Sequence, residues 1–275
     1  MDLESLVDND RPVAGMRPRA PSQTANGHIG SVSGDVGDLA ESIDDDRVED
    51  VEASTAPEFP IAVLETLRPS ALLFSAHDSE HPHSERIRLL RTELLLRHTT
   101  RQGAVAFAVV GAGIAEGRSC LAAELALSFS QLGRATLLID ADMRHPRQHE
   151  LFGTQLRFGL AQAIIGSDPP TLFGVAGYPT MSLLTAGICP GNPIELLSDG
   201  RFEYLLRTLR NSYEFIIVDT PRCSGYADGL VIATVVGHVL AVYRARRTPY
   251  KAARAMMRQL VSARADILGG VLNHF

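Results

Sequence analysis

Short, uninterrupted apolar runs that each stop at a glycine or an aspartate constrain this chain more than any other feature. Residues 104–110 (AVAFAVV) lead into Gly111, residues 135–139 (ATLLI) into Asp140, and residues 215–218 (FIIV) into Asp219. Runs this short, without polar alternation, suit strands buried on both faces, as in a covered parallel sheet. Segments of helical period lie between them. Residues 118–132 follow the first run and end at Gly133, a residue suited to a left-handed cap. FEYLLRTLRNSY (202–213) and YKAARAMMRQLVSAR (250–264) separate the later runs, with further strands expected at 181–184, 238–243 and 268–272. Strands alternating with helices imply right-handed βαβ units, so the expected class is α/β, a parallel sheet flanked by helices.

Charge divides the chain. The 275 residues carry a formal net charge of -6, yet residues 1–60 hold 14 acidic against 4 basic side chains, and the remainder is net basic. Rich in Gly, Ser, Pro and Asp, with the run Asp44-Asp45-Asp46, residues 1–60 cannot bury enough surface to offset backbone entropy. They are expected to form a disordered acidic tail. Residues 61–83 are expected to be a linker, whose mildly apolar part, 61–74, is able to dock on the body. The folded domain is expected over 84–275. It opens with a helix in which Ile87, Leu90, Leu94 and Leu95 recur at helical spacing, Ser84 serves as N-cap and Glu85 sits in the first turn. Cys120, Cys189 and Cys223 form no CxxC, which argues against a disulfide scaffold or zinc module and fits a reducing cytosol. No basic-then-apolar leader opens the chain and no apolar run reaches the roughly 18 residues of a membrane helix, so a soluble protein is expected.

Chemistry concentrates at the ends of the apolar runs. The loop GAGIAEGRS (111–119) lies between a buried strand and a helix, where backbone N–H groups can surround phosphate. Gly117 and Ser119 match a phosphate-loop pattern. Ala112 stands where its first glycine is expected, flanked by Gly111 and Gly113, and Arg118 stands where lysine is usual. Arginine keeps the charge but presents a wider planar fork. A glycine-rich turn without ligand explains the loop alone equally well. LLIDADMR sets Asp140 and Asp142 at the carboxyl end of a strand, the ligand-binding end of open parallel sheets, and FIIVDTP sets Asp219 similarly. Hard oxygen ligands suit Mg²⁺. Each acid taken singly is also a plausible helix cap or turn residue; Arg144 reads equally as structural or phosphate-binding.

These motifs together resemble the P-loop bacterial protein tyrosine kinases of polysaccharide biosynthesis, and within them the chain-length determinant kinases of EpsG type. The likeness covers residues 84–275. It rests on EGRSCLAAELALSFSQLGRATLLIDADMRHPRQHELFG, the E-x-x-R-x-x-R pattern of Glu85, Arg88 and Arg91, the PIELL stretch after Asn192, FIIVDTP and the ending GGVLNHF. The resemblance implies a P-loop NTPase fold of the deviant Walker group that includes MinD and ParA. It implies a cytosolic ATP-binding tyrosine kinase, peripheral at the inner membrane through a chain-length regulator, or co-polymerase, and acting on protein tyrosines rather than nucleic acid. Gly113, Glu116, Gly117, Arg118, Ser119 and Cys120 would bind ATP. Ser119, Asp140 and Asp219 would hold Mg²⁺, with Asp142 in support; Asp140 would position or deprotonate the incoming hydroxyl, and Arg118 would neutralise phosphate. Glu85, Arg88 and Arg91 would join subunits into a homo-oligomer.

The chain departs from that pattern. Ala115 replaces a usual glycine, so its methyl group is expected to obstruct a backbone conformation that only glycine adopts easily. Ile114 and Cys120 are also unusual, and the C-terminal tyrosine cluster is missing, the last tyrosines being Tyr243 and Tyr250. Two alternatives follow: a nucleotide-binding switch or scaffold without catalysis, and a MinD/ParA-like positioning ATPase, whose early signature lysine is absent near Ala112. Elsewhere plainer readings prevail. His77, His81 and His83 suit a polar linker better than a metal site, Cys120 a small helix residue, and Arg244, Arg246 and Arg247 a solvated loop.

Overall fold

In the computed structural model, which describes residues 67–98, 103–166 and 170–274, the apolar runs become the strands of a single sheet. They are β1 (Val105–Gly111), β2 (Thr136–Asp140), β3 (Phe173–Val175), β4 (Tyr178–Leu184), β5 (Phe215–Asp219), β6 (His238–Arg244) and β7 (Asp266–Asn273), in the order β3-β4-β2-β5-β1-β6-β7. The acidic tail expected over 1–60 lies outside the described residues.

Helices α1 (Phe74–His77), α2 (Pro82–His98), α3 (Arg118–Ser130), α4 (Gln148–Leu151), α5 (Leu160–Ile165), α6 (Pro193–Ser198), α7 (Arg201–Leu209), α8 (Asp228–Val236) and α9 (Tyr250–Ser262) cover both faces. The pleat of β1 divides the core. Ala106, Ala108 and Val110 join Leu206, Ile232 and Leu260 on one side, whereas Phe107 and Val109 join Leu94, Leu125 and Phe129 on the other. Double burial is why these strands lack polar alternation.

All strand pairs are parallel except β3 with β4. That exception follows from chain length. Only Ala176 and Gly177 separate the two strands, Gly177 has φ +78°, and a turn this tight permits an antiparallel hairpin but no crossover. A second difference is α8, whose apolar residues merge in the sequence with those of β6. The break is conformational: Gly237 takes φ +90° and its N–H donates to Ala233 O at 3.0 Å, ending the helix before the strand begins.

The stretch before α2 packs on the body. Leu67 forms a bridge with Val175, Leu73 is fully buried, and the Phe74 ring stacks on His81 at 4.3 Å. His77 Nε2 contacts the carbonyls of Pro69 and Ser70, so these histidines act in packing. Among the described residues no cluster of three potential metal-ligating side chains occurs. Helix α2 starts at Pro82, since proline tolerates a first helical turn. Ser84, expected as its N-cap, instead donates to Asp78 O at 2.7 Å.

The face expected for Glu85, Arg88 and Arg91 is divided. Arg88 pairs with Glu85 along the exposed side, but Arg91 is buried and donates from Nη1 to Ser128 O at 2.7 Å and to Ser128 Oγ at 3.2 Å on α3. A three-residue step falls about 60° short of a full helical turn, so two steps carry Arg91 round to the inner side. Arg91→Ala should therefore lower the unfolding free energy by about 1–3 kcal/mol in urea denaturation, the scale of hydrogen bonds from a charged donor. Arg88→Ala should cost less than about 1 kcal/mol, as exposed ion pairs do.

Candidate active site

At the carboxyl end of β1 the chain turns through residues 112–117 and enters α3. Gly117, at the N-cap position, has φ +89°, and no side chain caps the helix. Its first N–H groups are therefore available to an anion. The loop folds over two of its own side chains: a Cβ at Gly111 would overlap the Glu116 carboxylate and the Arg118 guanidinium. Glu116 is buried, with Oε1 accepting from Thr248 Oγ1 at 2.6 Å and Oε2 lying 3.4 Å from Arg118 Nη1. Arg118 also donates to Gly113 O at 2.6 Å from Nη1 and to Thr220 O at 3.2 Å from Nε. Ala115 adopts φ +54°, a left-handed conformation uncommon for a residue with a Cβ, so the methyl group does not prevent it.

Two of the strand-end acids stand side by side. Asp140 and Asp219 are register partners on β2 and β5, and both are fully buried. Asp140 Oδ1 accepts from Asp142 N at 3.1 Å, while Oδ2 accepts from Arg147 N at 3.0 Å and Gln148 N at 2.9 Å. Asp219 Oδ2 accepts from Gln148 Nε2 at 2.9 Å, and its Oδ1 is a buried atom without a partner. Burial pushes both carboxyls up. Asp140 is raised further by the Asp219 charge. Asp219 reaches about 6 although hydrogen bonds from Ser119 and Gln148 and the charge of Arg118 pull it down.

A cleft of about 450 Å³ opens above these acids, lined by residues 114–120, Asp142, His145, Arg147, Arg222 and Arg244. Ser119 and Asp142 therefore reach the cleft. Asp140, expected to meet an incoming hydroxyl, is not among the lining residues, and both its oxygens accept backbone N–H groups, Oδ1 that of Asp142. Asp142 Oδ1 in turn accepts from the N–H groups of Arg144 and His145. Arg144 faces elsewhere, paired with buried Asp228 at 2.7 Å, donating to Asn192 Oδ1 at 3.0 Å and lying 4.3 Å over the Tyr226 ring. Cys120 lines the cleft, and burial, then the Asp219 charge, push its thiol up. A larger cavity, about 600 Å³, opens at the amino ends of β1 and β5 among Val105, Tyr213 and Phe215 and touches none of the expected site residues.

Gln148 escaped the sequence reading. It is fully buried and also donates to Ser119 O at 3.0 Å, tying Asp219 to α3. Nothing local marks a glutamine eight residues after an aspartate as its neighbour's partner. Arg222 did leave a signal, a cation directly after the DTP motif.

A phosphate-type loop between a central strand and α3, with acids at the ends of two neighbouring strands, gives the fold found in P-loop NTPases such as MinD. The comparisons agree. MinD of Pyrococcus horikoshii, solved with Mg-ADP, matches with TM-score 0.54 at 16% identity over 62% of this chain and 70% of that one, a likeness of fold alone. The kinase domain of the Escherichia coli tyrosine kinase ETK matches with TM-score 0.70 and 28% identity, covering 77% of this chain and 82% of that one. The chimerical protein CapA2B2 gives TM-score 0.69 and 27% identity over 78% and 94%. In sequence, CapB of Staphylococcus aureus is 31% identical over 191 residues, 69% of this chain and 83% of that one. Tyrosine-protein kinase YwqD of Bacillus subtilis is 31% identical over 193 residues, 70% of this chain and 81% of that one. The chain spans only 26% of the longer tyrosine-protein kinase etk of Escherichia coli. No protein-family profile matches. The chain belongs to the bacterial tyrosine-protein kinases.

The raised carboxyl of Asp219 gives a signed expectation. The folded protein keeps a proton up to about pH 6 that the unfolded chain releases near 3.8. This stabilising contribution is complete below the lower value and is lost as pH rises through the upper one. Asp219→Asn should thus melt above the wild type at pH 7 without nucleotide, with the gap closing towards pH 4 in scanning calorimetry. A variant melting lower at pH 7 would contradict the assignment.

Proposed function

We propose that this chain is an ATP-dependent protein tyrosine kinase that works with an inner-membrane polysaccharide co-polymerase to regulate exopolysaccharide chain length or export. The carrying observation is the cleft itself, lined by the uncapped start of α3, Ser119 and Asp142, with buried Asp219 at the end of the neighbouring strand β5.

The residues fit magnesium and nucleotide. Mg²⁺ takes few protein ligands and keeps several waters, which matches Ser119 as a direct ligand and the Asp219 oxygen as a partner for its water shell. Loop N–H groups from Gly113 to Cys120 suit the phosphates. Bound MgATP would supply the phosphoryl group. The protein supplies position and charge, which is most of what this chemistry needs. Asp142 is the carboxylate able to orient a tyrosine hydroxyl or take its proton. Asp140 is a positioning residue, holding the Asp142 N–H.

A second reading, a switch that binds nucleotide without transferring phosphate, is favoured by one observation: Arg118 spends donors on Gly113, Glu116 and Thr220. Turnover separates the two. Purified protein with MgATP should bind nucleotide and form phosphotyrosine, and Asp142→Asn should lose at least about 100-fold of that activity, the lower range for a general base, while still binding MgATP in titration calorimetry. Binding without phosphotyrosine in the wild type would favour the switch, and absence of binding would sink both readings.

Among the described residues no helix is long and apolar enough to cross a membrane, which is compatible with a cytosolic protein recruited by a partner. We also propose self-association through the outer side of α2, where the Glu85–Arg88 pair is followed by Leu89 and Leu96, 58% and 69% exposed. Glu85→Ala with Arg88→Ala should lower the mass seen by light scattering. A monomeric wild type at high concentration with MgATP would refute it.

A further inference from the structure

The position reserved for a phosphate-binding cation holds an arginine that is already engaged. Arg118 donates to Gly113 O at 2.6 Å and Thr220 O at 3.2 Å, and the Glu116 carboxylate offsets its charge from within the same loop. Glu116 is held there by Thr248. Three further arginines line the same cleft: Arg147, which pairs with Glu150, Arg244, which donates to Ala115 O at 3.0 Å, and Arg222. Arg222 stands three residues beyond Asp219, lines the cleft with Ser119 and Asp142, and makes no hydrogen bond or ion pair to any described residue. Its Nε is shielded from solvent yet unpartnered, a costly state for a charged donor. Its guanidinium lies 5.2 Å from the centre of the Tyr226 ring, whose orientation is supported by Arg144 at 4.3 Å. Stacking of this kind orients a guanidinium without consuming its N–H donors.

We propose that Arg222, rather than Arg118, is the cation that binds the terminal phosphate of the nucleotide. The inference rests on the kinase reading above and adds to it a residue outside the loop motif. A planar fork held from behind by an aromatic ring can engage two phosphate oxygens at once, which a point charge cannot. Arg118 then has a different task. It spans the loop from inside and keeps Glu116 neutralised, so its removal disturbs loop shape for diphosphate and triphosphate alike.

Titration calorimetry with MgADP and with a magnesium complex of a non-hydrolysable ATP analogue tests this. Wild type, Arg222→Ala, Arg222→Gln and Arg118→Ala are compared, with circular dichroism verifying the fold. Arg222→Ala and Arg222→Gln should each weaken triphosphate binding about tenfold or more, about 1.4 kcal/mol, and diphosphate binding by less than about threefold. Glutamine preserves much of the packing on Tyr226, so a loss in both variants separates charge from stacking. Arg118→Ala should weaken both nucleotides to a similar degree. Unchanged triphosphate affinity in a folded Arg222→Gln protein, or a triphosphate-selective loss in Arg118→Ala, would overturn the proposal while the kinase reading stands. Failure of the wild type to bind either nucleotide would overturn both.

Discussion

The head of this sheet depends on keeping two carboxylates, Asp140 and Asp219, adjacent and away from water. Burial of like charges is expensive, and neighbouring structure is arranged to relieve it. The backbone N–H groups of Arg147 and Gln148 are turned towards Asp140, which closes the loop carrying Asp142. The Gln148 side chain reaches across to Asp219 and to the first turn of α3. What is left unrelieved is one Asp219 oxygen. Strand order makes the pairing possible, since β5 lies between β2 and β1 and so brings both acids beside the phosphate loop.

Much of the fold was legible because doubly buried strands advertise themselves as short apolar runs. β1, β2, β5 and β6 emerge within a residue or two of the expected bounds. Elements that escaped did so for definite reasons. β3 has three residues, too few for any period, and owes its strand character to pairing with β4. Helix α8 is apolar on nearly every side, so its pattern cannot be distinguished from that of β6 until Gly237 turns left-handed. Short helices α4, α5 and α6 have too few turns for a periodic signal.

The site was legible in its composition and less so in its wiring. Local backbone demands can be inferred from one residue type, which is why the strain at Ala115 followed from the motif. Contacts between distant segments cannot. The sequence places Arg91 on a repeating pattern with Glu85 and Arg88, but only the packing of α2 on α3 turns it inward to Ser128. The role of Asp140 towards an incoming hydroxyl comes from the family resemblance alone, whereas the chain that follows it folds back so that both oxygens accept backbone N–H groups. Arg118 and Arg222 were visible as cations, but Glu116, Thr248 and Tyr226 decide which of them has donors to spare.

The two margins of the sheet carry different risks. At β3, Leu67 pairs with Val175 and accepts the Ala176 N–H at 3.2 Å, so the segment before α1 occupies part of the hydrogen-bonding edge. At the other margin β7 runs for eight residues with no further strand beside it among the described residues, and Leu272 is 57% exposed. An open edge of that length is a template on which a second chain can add a strand. Two local features blunt it: the register shift between Val239 and Leu240, and the Arg97 guanidinium, which claims Leu268 O at 2.8 Å. An arginine at the end of α2, far from the cleft, thus occupies one carbonyl of the last strand of the sheet.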